Sequence, residues 1–390
     1  MASTGAVLAQ GWAPNERQAS AQADLIDYEF SQARGQFVWN DSLGNLWLGG
    51  VDRATGLFVP PDGHGILIDP DSMTFQDAQK TKNGPEWVRT AAGDVVVHTK
   101  YAGRHTDGNS RLGLATENPD GTWTSLIMGP EVRKAPYGSA VSGDPAPRIS
   151  YVDNREVHYW RELNNTASER PISDFPASNY PVRHVMCDVP GVAGTRAVLY
   201  PVTVNGVDQV FYRDFDSNTS RQLTFDAGVK YEVWMWCAPE YDNELVFFTL
   251  VDQTELRVYR NLPTGPGGQL QWTPVFSQKA PQGNQIFSPE PFTYNGRSYI
   301  FMAQSVRPNK FRSEIWIANI DAGAPLFKRI TPAEPLRTRT DPEVFVTSAG
   351  PMIYYNRLVP TLTDSGRYKP CRDPGCSDGV WFADSGLGAP

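Results

Sequence analysis

The chain has 390 residues, of which 40% are hydrophobic and 20% charged, with a formal net charge of −8. This composition supports a sizeable core and excludes a largely disordered chain. The negative balance argues against nucleic acid as a partner, because phosphate binding needs a basic surface, and no apolar run reaches the roughly 18 residues of a membrane span.

Residues 1–34 are polar after a short apolar start, and are expected to form a tail or to add a closing strand. No basic-then-apolar leader pattern opens the chain. Residues 35–390 are expected to form a single domain. Its first unit, GQFVWNDSLGNLWLGGVD at 35–52, is followed by a turn-rich excursion through Asp62-Gly63-His64-Gly65. Similar units then recur. GPEWVRTAAGDVVVHTKY opens at Gly84, DPAPRISYVDNREVHYWRE at Asp144, and a looser copy at Cys187-Asp188. APEYDNELVFFTLVDQTELRVYRNL opens at Ala238, SPEPFTYNGRSYIFMAQS at Ser288 and DPEVFVTSAGPMIYYN at Asp341.

Each unit is a hairpin plus a further strand, rich in aromatic and β-branched residues and separated by turn signals such as Asn295-Gly296. Such a unit cannot bury both faces alone and needs neighbours of its own kind. About seven copies at a spacing of roughly 50 residues predict an all-β, seven-bladed β-propeller. The expected blades span 35–70, 83–128, 144–172, 183–223, 234–276, 287–330 and 341–384. The last strand, GVWFAD at 379–384, is expected to share a sheet with the N-terminus, which closes a ring and removes its free edges.

Four cysteines bear on the compartment. Cys371 and Cys376 bracket a tight turn that suits a short disulfide. Cys187 and Cys237 lie one repeat apart and are expected at matching depth on adjacent blades, where they can pair. Both pairs point to an oxidising compartment and a secreted protein. Asn40, Asn164 and Asn218 head glycosylation sequons.

Two sets of residues are candidates for chemistry. The recurrent acids Glu86, Glu240, Glu290 and Glu343 are expected on the innermost strands. There they either satisfy each blade's own hydrogen bonds or form a carboxylate ring able to bind a cation or act as catalytic acids. The other set breaks the repeat. His98, Lys100, Tyr101, Arg104, His105, Asp107 and Arg111 fall in VHTKYAGRHTDGNSR, and His98 and Lys100 share one strand face while Tyr101 takes the other. Arg148, Tyr151, His158 and Arg161 follow in the third unit, and Arg183-His184 opens the fourth. No nucleotide loop, zinc motif or Gly-x-Ser-x-Gly elbow occurs.

The Pro-Glu-aromatic motif, followed by a turn and an aromatic strand, resembles secreted carbohydrate-active propellers. Residues 287–319 resemble blades of the arabinanase/xylosidase-type glycosidases, which have five blades where this chain shows about seven. In length the chain is more similar to the seven-bladed rhamnose–glucuronate lyases that trim gum arabic side chains. The same signature also occurs in non-catalytic propellers of the TolB kind.

The lyase resemblance implies β-elimination at a uronate. That needs a cation to offset the carboxylate, a base for the C5 proton and an acid for the leaving oxygen. His105 is then the expected base or acid, Tyr151 its partner and Arg148 the carboxylate anchor, with His98, Lys100, Tyr101, Arg104, Arg111 and Arg183 binding substrate. A glycoside hydrolase would instead need two carboxylates from Asp41, Glu86, Glu240, Glu290 and Glu343. A non-catalytic sugar- or protein-binding propeller is the third reading. The expected partner is a polysaccharide or oligosaccharide bound to a monomer. No cofactor is required, and the recurrent acids raise the expectation of a structural calcium in the channel.

Overall fold

The computed structural model describes residues 16–81, 83–139, 141, 144–172, 182–305, 312–362, 368–369 and 374–390. Seven sheets of four or five antiparallel strands form the blades of a β-propeller. The innermost strands are Ile26–Ser31, Glu86–Thr90, Lys134–Gly138, Arg183–His184, Lys230–Ala238, Gln285–Tyr294 and Thr338–Thr347. Each contacts the next, and Thr338–Thr347 contacts Ile26–Ser31, so these strands form a closed circle around a channel. A short helix, Phe75–Thr81, lies between the first and second blades.

The strands read as near-continuous apolar runs because both faces of every blade are covered. In Glu244–Val251 of blade five, Val246, Phe248 and Leu250 pack toward blade six. Phe247, on the opposite face, packs toward blade four. This is the period-two alternation of a strand used in two directions at once. An apolar cluster therefore lies between every pair of adjacent blades, from Val38, Leu48 and Val96 between blades one and two to Phe345, Tyr354 and Phe37 between blades seven and one. The core is a ring of interfaces, and no blade is stable without both neighbours.

The ring closes through the N-terminus. Glu16–Ser20 pairs antiparallel with Ser377–Asp384 as the outermost strand of blade seven. The region expected as a tail thus supplies both this strand and the inner strand of blade one, which begins at Ile26, ahead of the expected start at Gly35. Glu16 is buried in the seam. It accepts hydrogen bonds from Arg339 Nε at 2.7 Å and Nη2 at 3.1 Å, from Tyr355 Oη at 2.9 Å and from Arg357 Nη1 at 3.3 Å. Blades four and five are also tied covalently, by the disulfide Cys187–Cys237, with Cα atoms 5.0 Å apart. Cys371 lies outside the described residues.

The expected start of blade three and the place of the opening motif in blade four are corrected, while the expected start of blade four at Arg183 holds. Blade three opens at Lys134, and Asp144-Pro145-Ala146 lies between its first strand and its second, Arg148–Val152. Blade four opens at Arg183, so Cys187-Asp188 follows its inner strand instead of starting it. In both the inner strand lacks the Pro-Glu pair, and the nearest look-alike was displaced along the sequence.

Arg339 has no exposed side-chain surface, so removing the Glu16 charge strands a buried guanidinium. Glu16→Gln is expected to lower stability by about 3–5 kcal/mol, the usual cost of breaking a buried pair from one side. Urea unfolding measures this, and a loss below about 1 kcal/mol would show that closure does not lean on the pair.

Candidate functional site

The Pro-Glu signature has a structural cause. In blades one, three, five, six and seven the inner strand carries a β-bulge, seen as a register shift before Glu29, Tyr137, Val233, Glu290 and Glu343. At four of these bulges a residue adopts positive φ: Asp27 (59°), Ala135 (52°), Ser288 (41°) and Asp341 (54°). The next residue is Pro136, Pro289 or Pro342, or Tyr28 in blade one. Proline donates no hydrogen bond, so it suits the gap that a bulge leaves in the ladder. The bulge re-aims the residue after the proline toward the channel.

Carboxyl groups from separate blades therefore meet at the axis. Asp27 and Glu29 come from blade one, Glu86 from blade two, Glu290 from blade six, and Asp341 and Glu343 from blade seven. All are half-buried, open to the channel and otherwise walled by protein. Burial first, and then mutual repulsion, raises their pKa values. Asp27 and Glu290 are each pushed up to about 8. Glu29, Glu86 and Glu343 are pushed well above the ordinary carboxyl range.

Arg183 of blade four stands among them. Its Nη1 donates to Tyr137 Oη at 2.6 Å. The guanidinium carbon lies 4.3 Å from the Trp234 ring centroid and 4.9 Å from that of Tyr137. Its buried Nε has no hydrogen-bond partner. The charge of Arg183 pulls down the pKa values of Asp27, Glu86, Glu290 and Asp341 against the effect of burial. Among the leading influences on Glu29 and Glu343, by contrast, only burial and neighbouring carboxyls act, and all of them raise the pKa. The channel acids therefore differ in how strongly the cation acts on them, Glu29 and Glu343 the least.

Glu86, Glu290, Glu343 and Arg183 are the sequence candidates that this site brings together. Glu240 lies elsewhere. It sits in the turn Pro239–Tyr241 after the inner strand of blade five, and accepts from Ser298 N at 2.9 Å and Oγ at 2.8 Å. Asp41 accepts from Leu43 N, Asn45 N, Asn45 Nδ2 and Trp47 Nε1, all within 2.9 Å. Burial raises its pKa, but these hydrogen bonds outweigh burial and hold it low, as befits a turn-forming acid.

The trio His105, Tyr151 and Arg148 is not assembled. His105 stands in an exposed loop, stacked on Tyr101 with ring centroids 4.5 Å apart. Tyr151 is buried and donates to Glu169 at 2.6 Å. Arg148, also buried, opens the second strand of its blade and reaches Asp216 at 3.3 Å and Glu162 at 3.5 Å. Having placed the start of blade three at Asp144, the sequence reading put Arg148 one strand too far inward.

The blade-two residues fall into structural roles. His98 is fully buried between Ser72 Oγ at 3.2 Å and Ser125 Oγ at 3.1 Å, and burial pushes its pKa down to about 4. Lys100 donates to both oxygens of Asp69, each at 2.6 Å, and ties blade two to blade one. Tyr101 is buried, and that burial pushes its hydroxyl up to about 12. Arg111 donates to the carbonyls of Gly108 and Ser110, and Arg104 is exposed in the same loop as His105. Asp27, Glu29, Tyr137, Trp234 and Asp341 went unnoticed in the sequence. Aligning KAPYG at 134–138 with SPEP as a bulge would have found Tyr137. Among the described residues no three His, Cys, Asp or Glu side chains converge as cation ligands.

No family model matches the chain, and no curated protein matches it. Many solved structures do. The β-propeller domain of Cps50 (Swd1) from Myceliophteria thermophila is 9% identical with a TM-score of 0.52, covering 95% of this chain and 99% of that one. An ancestral GH74 enzyme is 12% identical with the same TM-score of 0.52, covering 94% of this chain and 48% of its own. The Aleuria aurantia lectin is 13% identical with a TM-score of 0.43, over 82% of this chain and 96% of that one. At these identities the likeness is one of fold.

Protons held by the channel acids leave a signature. A carboxyl whose pKa is raised in the fold contributes stability in full below about pH 4, and that contribution is lost as pH rises through about 8. Buried His98 and His158, with pKa values pushed down to about 4, act oppositely: their contribution is present above about 6.5 and lost as pH falls through 4. The melting temperature is expected to fall between pH 6 and pH 9, and Glu290→Gln is expected to flatten that decline. A wild-type profile that is level over this range would show that the acids ionise freely.

Proposed function

We propose that the protein is a carbohydrate-active propeller that hydrolyses a glycosidic bond at the channel mouth. The observation that carries this reading is the meeting of proton-holding carboxyls with Arg183 at the axis. Glycoside hydrolysis needs one carboxylic acid to protonate the leaving oxygen, and one carboxylate to attack the anomeric carbon or activate water. Enzymes obtain the two roles by placing two acids in environments that push their pKa values apart.

Asp341 and Glu343 fit the division. Both leave one bulge of one strand, two positions apart. Glu343 is pushed well above the carboxyl range by burial and by its acidic neighbours. Burial also raises Asp341, but Arg183 draws it back toward ionisation. Glu343 is therefore assigned as the acid and Asp341 as the base or nucleophile. Trp234 and Tyr137 supply apolar ring surface beside Arg183, and the disulfide suits the oxidising compartment of a secreted enzyme.

β-Elimination at a uronate is the second reading, and the Arg183–Tyr137 contact of 2.6 Å favours it. There Arg183 and the neutral channel acids would offset the uronate carboxylate, and Tyr137 would exchange the protons. This is the cation-and-phenol chemistry that the sequence suggested for Arg148 and Tyr151, moved to other residues.

A panel of neutral and acidic polysaccharides, read for new reducing ends and for ultraviolet absorbance, separates the readings. Hydrolysis gives reducing ends without absorbance, whereas elimination gives both. Glu343→Gln is expected to lower the rate of hydrolysis by about 10²–10⁴. Activity that survives both Glu343→Gln and Asp341→Asn would remove the channel assignment. Inactivity across the panel would leave a binding propeller.

A further inference from the structure

Outside the channel, a groove of about 600 Å³ runs along the rim between blades four and five. Its floor is the start of the outer strand of blade five, where Trp272 lies half-buried, and Leu270, just ahead of that strand, is 66% exposed. Blade four contributes the loop around Gly194 with Tyr212 and Arg221, and blade five adds Asn261 beside Trp272. We propose that this groove is a binding site for an acidic oligosaccharide, separate from the channel.

The groove is built before any ligand arrives. Trp272 packs on Phe247 with ring centroids 5.0 Å apart, and Phe247 in turn stacks on Tyr259 at 4.7 Å. The indole is therefore held in place as a platform. Tyr212 donates its hydroxyl to Gly194 O at 2.8 Å and so pins the wall loop. Gly194 has a φ of +80°, and a Cβ there would come within 3.0 Å of that hydroxyl, so glycine is required for the wall to close.

Its unspent groups are mainly donors, with the Asn261 amide offering an acceptor as well. The Arg221 guanidinium lies over Tyr212 at 4.8 Å, and makes no hydrogen bond or ion pair among the described residues. The Trp272 indole N–H and the Asn261 amide are likewise free of hydrogen bonds among the described residues. The acids that line the groove are already engaged. Glu244 pairs with Arg260 at 2.7 Å, and Asp214 accepts from Ser217 N at 2.7 Å and Oγ at 2.9 Å. A flat apolar platform ringed by unpaired donors fits a ligand with an apolar ring face and oxygen acceptors, at least one of them a carboxylate. A sugar chain carrying uronate units has that chemistry. An acidic peptide would offer the charge, but would want pockets for separate side chains in place of one plane.

The test is retardation of the intact protein in native gels containing polygalacturonate, with neutral cello-oligosaccharides and poly-glutamate as comparison probes. Polygalacturonate is expected to retard the protein. Trp272→Ala and Arg221→Ala are each expected to weaken binding at least tenfold while leaving the melting temperature within a few degrees. Arg221→Lys is expected to be intermediate, because an ammonium keeps the charge but loses the stacked fork. Cleavage by the channel is read separately, by reducing ends and ultraviolet absorbance, so failure of the groove and failure of the channel assignment are distinguishable. Unchanged binding in both groove variants overturns the proposal, as does retardation by poly-glutamate equal to that by the polysaccharide.

Discussion

Closure of the ring is the constraint on which everything else depends. Each blade buries one face on the blade before it and one on the blade after it, so an open ring would expose two apolar faces at once. The seam is sealed by one short strand, Glu16–Ser20, and by one buried carboxylate shared by Arg339, Arg357 and Tyr355. Buried ion pairs add little net stability against apolar packing, but they are exacting about geometry. Here the exactness selects the register in which the two ends of the chain meet.

Closure also creates the electrostatics of the channel. Residues hundreds of positions apart, such as Asp27 and Asp341, face one another only because seven inner strands are drawn to a single axis. Five of those strands are bulged, and in blades one, six and seven the bulge converts a structural irregularity into a chemical one, since it turns a carboxyl inward at the cost of a ladder bond. Crowded carboxyls in a partly desolvated channel then keep their protons, and the single Arg183 breaks the symmetry. A set of acids on which the cation acts unequally follows from backbone geometry repeated around a circle.

The repeat made the fold readable. Period-two aromatic strands, Asn-Gly turns and Pro-Glu starts recur because every blade solves the same packing problem, and a problem solved seven times leaves a periodic trace. The site was readable only where it shared that trace. Glu86, Glu290 and Glu343 were found because they follow a proline in the repeat. Tyr137 and Arg183 occupy the channel in blades three and four, whose inner strands lack the Pro-Glu pair, so the repeat gave Tyr137 no mark and gave Arg183 only the standing of a binding residue. His105, Tyr151 and Arg148 stood out for the opposite reason, as departures from the pattern. Departure from a repeat marks a loop or an inter-blade contact as readily as a reacting group.

Composition and pattern alone determined an all-β ring of about seven units and brought forward the pairing of the last strand with the N-terminal region and of Cys187 with Cys237 as expectations, because each depends on local propensity or on the spacing of one repeat. Which side chains share the axis was decided by the tertiary structure. A bulge shifts facing by one residue, and a misplaced blade start shifts it by a whole strand, and neither leaves a mark in the linear order. The state of the channel acids was decided there too, since it reflects groups from at least five blades brought within electrostatic reach. No sequence separation encodes that distance.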